Sequence, residues 1–147
     1  MKPREIIKQL SSKENFTMLD REVSDKEILQ LEQLLRVKLP DEYKDFLKRF
    51  GYLFWFGISI LGIAPDEDDS VVFWTKKARA DYLPKDFVSR PKNGVVVCEY
   101  GGGGYYFLYC KGSKKEGNVV LILDELYGKE STEHWDDFWG FLASFLR

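Results

Sequence analysis

The chain has 147 residues, of which 44% are hydrophobic, 31% charged and 16% aromatic, and its net charge is −2. That length and mix suit one domain that buries its own core without disulfides or metal. With no basic surplus to neutralise phosphates, general nucleic-acid binding is disfavoured, although a small basic patch stays compatible with the balance.

The N-terminus reads Met1-Lys2-Pro3-Arg4-Glu5-Ile6-Ile7 and lacks the apolar stretch of a signal peptide. A short helix is expected over residues 4–10, then polar loop over 11–23 with an extended piece at Phe16–Leu19. Ser24 and Glu27 have capping-box spacing, and Ile28, Leu31, Leu34 and Leu35 follow with helical period. Leu39-Pro40-Asp41-Glu42-Tyr43 opens a second amphipathic helix, with proline at the start and acids at the positive end of the dipole. Tyr43, Phe46, Leu47 and Phe50 form its apolar stripe; Lys48 and Arg49 suit its last turn, and Gly51 ends it.

The apolar run over 52–64 is too short to span a bilayer and reads as two buried strands, Tyr52–Phe56 and Ile58–Ile63. An acidic loop, Pro65-Asp66-Glu67-Asp68-Asp69, comes next, and Ser70 can cap a helix begun at Val71. Val71, Trp74, Thr75, Ala78 and Tyr82 recur at helical spacing before Pro84, although the β-branched pair Val71-Val72 leaves a strand open. Residues 84–93 carry the turn signals Pro84, Pro91 and Asn93-Gly94. Three strands are expected at Val95–Tyr100, Tyr105–Cys110 and Val119–Leu123. A final helix is expected from about Glu133, with Trp135, Phe138, Trp139, Phe141, Leu142 and Phe145 on a wide aromatic face.

Chemistry-bearing patterns are sparse. The single histidine, His134, has no neighbouring nucleophile or orienting group and reads as a surface or capping residue. Two cysteines and one histidine cannot supply the usual four zinc ligands. Four contiguous acids at Asp66–Asp69 cannot all turn toward one calcium ion. Gly101–Gly104 leads into a strand, whereas a phosphate loop leads into a helix, so it reads as a hairpin connection. With Tyr100 opposite Tyr105, Cys98 and Cys110 fall three residues out of step. That is roughly 10 Å, beyond disulfide reach, and two reduced thiols fit a cytoplasmic protein. No feature singles out a catalytic carboxylate pair, including Asp124-Glu125 and Asp136-Asp137. The acidic segments 66–69 and 124–137 read either as a solvated face or as a docking surface for a basic partner. In the second reading Asp66, Glu67, Asp68, Asp69, Asp124 and Glu125 are the contact residues. Tyr52, Trp55 and Trp74 are possible aromatic anchors for which burial is the alternative.

The ordered set Ile28, Leu31-Glu32, Leu39-Pro40, Tyr43, Phe46-Leu47 and Gly51, then Ile60-Leu61-Gly62, resembles the SUKH superfamily. Phe138 and Phe141-Leu142 match the family's C-terminal Phe-x-x-Phe-Leu helix, so the likeness extends over about residues 24–146. The chain departs from the pattern at Phe50-Gly51, where the family often has Asn-Gly, and at Gly104-Tyr105, where it often has Gly-Asp. The resemblance implies a single α+β domain, with a mainly antiparallel sheet of about five strands packed against helices. It also implies a non-catalytic protein-binding module without cofactor or metal. The superfamily contains bacterial immunity proteins, which bind a cognate toxin, and fungal regulators of cell-wall glucan synthesis. The first role is expected here, with a nuclease as one candidate toxin. A regulatory scaffold for host proteins, or a small-ligand-binding protein, is the alternative. Neither direct nucleic-acid binding nor membrane association is expected.

Overall fold

The computed structural model describes residues 2–11, 16–55, 57–80, 83–89 and 91–146. Its described residues form α1 (Pro3–Ser11), β1 (Thr17–Met18), α2 (Asp25–Leu35), α3 (Asp41–Phe50), β2 (Leu53–Trp55), β3 (Ile58–Ile60) and α4 (Val71–Ala80). The second half holds β4 (Gly94–Tyr100), β5 (Gly104–Tyr109), β6 (Val119–Leu123), β7 (Lys129–Trp135) and α5 (Phe138–Ala143). The fold is α+β, as the sequence implies, and every strand pairing is antiparallel. The strands divide into two sheets, one ordered β1-β2-β3 and one a β4-β5-β6-β7 meander.

Local signals in the sequence account for most elements. The capping box before α2 forms: Ser24 Oγ accepts from the Glu27 N–H at 3.2 Å, and Glu27 Oε1 accepts from the Ser24 N–H at 3.2 Å. Ile28, Leu31 and Leu35 are buried, whereas Leu34 lies 57% exposed, so the buried stripe is narrower than the spacing suggests. In α3, Tyr43, Phe46, Leu47 and Phe50 are all buried, and Phe138 of α5 packs edge-on against Tyr43 and Phe46 at 5.1 Å each. Ser70 caps α4 by accepting from the Phe73 N–H at 3.2 Å, which resolves Val71-Val72 as helix. Phe56 and Tyr82, expected in a strand and a helix, lie outside the described residues.

The two sheets meet at Leu61. Its N–H donates to Val97 O at 2.9 Å, and its carbonyl accepts the buried Tyr43 hydroxyl at 2.7 Å. Val97 sits at a register shift between Val96 and Cys98, a bulge in the β4–β5 ladder. The outer edge of β4 is covered rather than exposed. Thr75 Oγ1 of α4 accepts from the Val96 N–H at 3.0 Å, and the Arg79 guanidinium donates to Gly94 O at 3.3 Å and to Leu35 O at 2.7 Å. Beside Leu61, Gly62 lies against the Gly51 backbone so closely that a Cβ there would collide with the Gly51 carbonyl.

Two expectations change. Lys129–Trp135 is a strand, and the last helix begins at Phe138 with Asp137 as its cap, its carboxylate accepting from the Gly140 N–H at 2.6 Å. The physical reason is position: β7 is the sheet's outer strand, paired on one side only, so its residues stay polar and lack the apolar periodicity of a buried strand. His134 therefore lies exposed on a strand, opposite Val120. The β4–β5 register is also displaced, with Glu99 opposite Tyr105 and Tyr100 opposite Gly104. A Cβ at Gly104 would run into the Ile122 carbonyl, so the glycine is what permits β5 to lie this close to β6 at that point. Cys98 and Cys110 remain unpaired in this register, and both are buried.

These contacts set two measurable expectations. Tyr43→Phe leaves the buried Leu61 carbonyl without its donor and is expected to cost about 1–3 kcal/mol, read as a lowered urea midpoint. Burial pushes both thiols up to about 12. The native protein therefore holds almost no thiolate between pH 7 and 9, and its alkylation by iodoacetamide stays slow across that range. In urea the rate should rise steeply with pH as the thiols return toward about 8.5.

Candidate functional site

The acidic loop folds as a 3-10 turn over Glu67–Asp69, and its four acids divide into two kinds. Asp66 and Asp69 serve the loop itself. Asp66 Oδ1 accepts from the Asp68 N–H at 3.0 Å, and the Asp69 carboxylate accepts a short hydrogen bond from the Ser59 hydroxyl. Among the described residues, the Glu67 and Asp68 carboxylates accept no hydrogen bond and form no ion pair, and both residues are exposed. The loop also fixes an aromatic wall: the half-buried Trp74 donates its Nε1–H to Asp68 O at 3.0 Å.

The second acidic segment reaches the same end of the molecule through the sheet. Asp124 and Glu125 open a 3-10 turn directly after β6, and the Asp124 N–H donates to Gly103 O at 2.8 Å. That bond ties Asp124 to the tip of the β4–β5 hairpin. A cavity of about 210 Å³ lies there, lined by Trp74, Lys77, Glu99, Asp124, Tyr105 and the glycines 102–104, over a floor that includes Ala78 and Val96. A neighbouring depression of about 330 Å³ is bordered by Asp68, Glu99, Tyr100, Tyr106 and Phe145. Glu99 borders both, so Asp68 and Asp124 flank one hairpin tip with Glu99 between them.

Five of the acids named from the sequence thus occupy two segments of one face, the loop 66–69 and Asp124. Glu125 is exposed beside Asp124 but does not line the cavity. The longer acidic stretch 124–137 does not form one patch. Strand β7 carries the chain to Asp136 and Asp137, roughly 20 Å from Asp124 at a rise of about 3.3 Å per residue. Glu130 turns instead to Tyr109 Oη at 2.6 Å and Lys115 Nζ at 2.8 Å. Of the candidate aromatic anchors, Tyr52 and Trp55 are buried in the core, and Trp74 alone reaches the face.

Glu99 and Tyr100 join the site without having been singled out by the sequence. Their signal is an acid and an aromatic immediately before a glycine run, a pattern shared with ordinary hairpin shoulders. Tyr100, Leu126 and Tyr127 are exposed large apolar residues beside the acids. Exposed aromatics are enriched in protein-binding surfaces, and charged groups around them act mainly on encounter rate and orientation. Lys77 Nζ lies 5.1 Å from the centroid of the Trp74 ring, a cation–π contact. On another side of the fold, Arg36, Lys38, Lys44 and Lys111 border a basic depression. Two of its cations are matched there, Lys111 by Asp41 at 2.7 Å and Lys44 by Glu32 at 3.7 Å. No cluster of three or more potential metal-ligating side chains occurs among the described residues.

The profile of the SUKH_5 family, described as SMI1-KNR4 cell-wall, matches residues 4–147. The chain belongs to this family. A crystal structure of a protein from Pseudomonas syringae pv. tomato superposes with a TM-score of 0.68 at 17% identity, covering 97% of this chain and 96% of that one. At that identity the likeness is one of fold. A search of curated proteins returns no match. The family-like residues Leu39-Pro40, Tyr43, Phe46-Leu47, Gly51 and Leu61-Gly62 are all buried, and they build the scaffold that carries the acidic face. No helix among the described residues is long and apolar enough to cross a membrane.

The division of labour within the acidic loop is testable by paired substitutions. Asp69→Ala removes the partner of Ser59 and is expected to lower stability by about 1 kcal/mol. Glu67→Gln should leave the urea midpoint where it is. Equal midpoints for the two variants would refute the division.

Proposed function

We propose that this SUKH-family chain is an immunity protein: it binds a cognate protein toxin through the acidic face and blocks it stoichiometrically, without turnover. The observation that carries this reading is the placement of Asp68, Glu99 and Asp124 around one hairpin tip, beside exposed Tyr100. None of these carboxylates forms an ion pair among the described residues, and around the cavity the two acids Glu99 and Asp124 outnumber the one ammonium, Lys77, which leaves net negative charge for a partner. A partner with a basic surface, such as a nuclease, is drawn to such a face at long range, because complementary potentials raise association rates and fix orientation. The exposed aromatics then supply contact energy at short range. In this reading Asp66 and Asp69 shape the loop, while Glu67, Asp68, Asp124 and Glu125 meet the toxin. The whole chain acts as one binding domain and needs no cofactor or metal. Two buried free thiols suit a cytoplasmic site of action.

The decisive experiment is calorimetric titration of this protein into the catalytically inactive C-terminal domain of the large protein encoded by the adjacent gene. A 1:1 complex is expected, together with loss of activity when the active toxin domain is mixed with this protein. Charge reversal of Glu67, Asp68, Asp124 and Glu125 together should slow association by about tenfold or more and flatten its salt dependence. A complex that ignores these reversals would remove the acidic face from the mechanism. Absence of binding, or of any toxin-like neighbour, would move the assignment to a regulatory scaffold that binds host proteins.

A further inference from the structure

The cavity at the hairpin tip has a more specific chemistry than the acidic face around it. Two carboxylates from different parts of the chain, Glu99 at the end of β4 and Asp124 after β6, line the same 210 Å³ space. Neither forms an ion pair among the described residues, and neither accepts a side-chain hydrogen bond there. The third wall is the Trp74 ring, held in place by its hydrogen bond to Asp68 O. Ala78 and Val96 give the floor an apolar stretch.

Size narrows the occupant. At about 30 Å³ per water the cavity holds the equivalent of about seven waters. It falls short of the roughly 300 Å³ at which small-molecule pockets begin. One long side chain fits that space better than a metabolite. Charge narrows it further: the two carboxylates outnumber the one ammonium of the lining, Lys77, and with the aromatic face they favour a cation, and a planar guanidinium can stack on the ring while its fork reaches carboxylates on either side. The chain itself shows that the ring face accepts a cation, because Lys77 Nζ already lies 5.1 Å from its centroid. Lys77 makes no ion pair with either carboxylate among the described residues, so their acceptor capacity stays open.

We propose that this cavity is a receptor for an arginine side chain of the protein partner, with Glu99 and Asp124 as acceptors, Trp74 as the stacking surface and Lys77 as an internal competitor for the ring. This proposal rests on the protein-binding reading and names its anchor. Glu99 thereby becomes a specificity residue, and Lys77 moderates affinity by occupying the ring face when no partner is bound.

The test needs no toxin. N-acetyl-arginine amide is titrated into the ¹⁵N-labelled protein while the indole N–H resonance of Trp74 is followed, its assignment fixed by its loss in Trp74→Phe. The neutral isostere N-acetyl-citrulline amide serves as control. A saturable shift with the arginine probe is expected, with none from citrulline, and it should vanish in the E99Q/D124N double variant. The unchanged indole resonances of the three other tryptophans would verify that this variant is folded. Lys77→Met should tighten arginine binding by about two- to fivefold, the worth of an exposed cation–π contact. Equal shifts with both probes, no shift with either, or unaltered binding in E99Q/D124N would each overturn the proposal. A toxin complex indifferent to E99Q/D124N would also retire the pocket while leaving the immunity reading standing. Arginine binding with no toxin partner would do the reverse.

Discussion

The peptide group of Leu61 fixes how three parts of one apolar core meet. Its N–H satisfies Val97 in the four-stranded sheet, and its carbonyl is satisfied by Tyr43 of the second amphipathic helix. Buried backbone groups must find partners, so these two bonds fix how the three-stranded sheet, α3 and β4 approach one another. The next residue, Gly62, closes the same junction: its N–H donates to Asp69 O, and its carbonyl accepts from the Val71 N–H. The acidic loop is therefore clamped between the junction and the first turn of α4. Its position on the surface follows from the core rather than from its own composition.

The same junction explains why α4 lies where it does. Thr75 is fully buried, and its hydroxyl meets the free edge of β4 at Val96. Arg79, one turn further on, meets Gly94 and the end of α2. Between them these side chains do for β4 what a fifth strand would do, and they leave Trp74 and Lys77 facing the hairpin tip. The wall of the cavity is thus a by-product of covering a sheet edge.

How much of the fold is legible in the sequence depends on whether the signal is local. The Ser24–Glu27 capping box, the α3 stripe and the Ser70 cap are made by residues within a few positions of each other, and each forms as its spacing implies. Leu34 and the strand 129–135 mislead for a common reason: their surroundings are set by the tertiary fold. A leucine at helical spacing can still face water, and a polar outer strand has no apolar alternation to betray it. The bulge at Val97 shifts the hairpin register in the same way, since the contact that exploits it comes from residue 61. For the site, the acids are legible as charge. That Asp66 and Asp69 serve the loop, and that Glu99 joins Asp124, depends on long-range placement that composition does not encode.

The hairpin tip itself is lightly constrained. A Cβ placed at Gly101 or Gly103 would meet no heavy atom within 4 Å, and neither residue adopts a positive φ. Just beyond them, Gly104 admits no side chain at all, because Ile122 stands in the way. The rim of the cavity is therefore open to substitution while its base is fixed. A side chain introduced at Gly103 would narrow the opening of the cavity, and one at Gly101 would reshape the neighbouring depression, with no heavy atom within 4 Å of the added Cβ in either case.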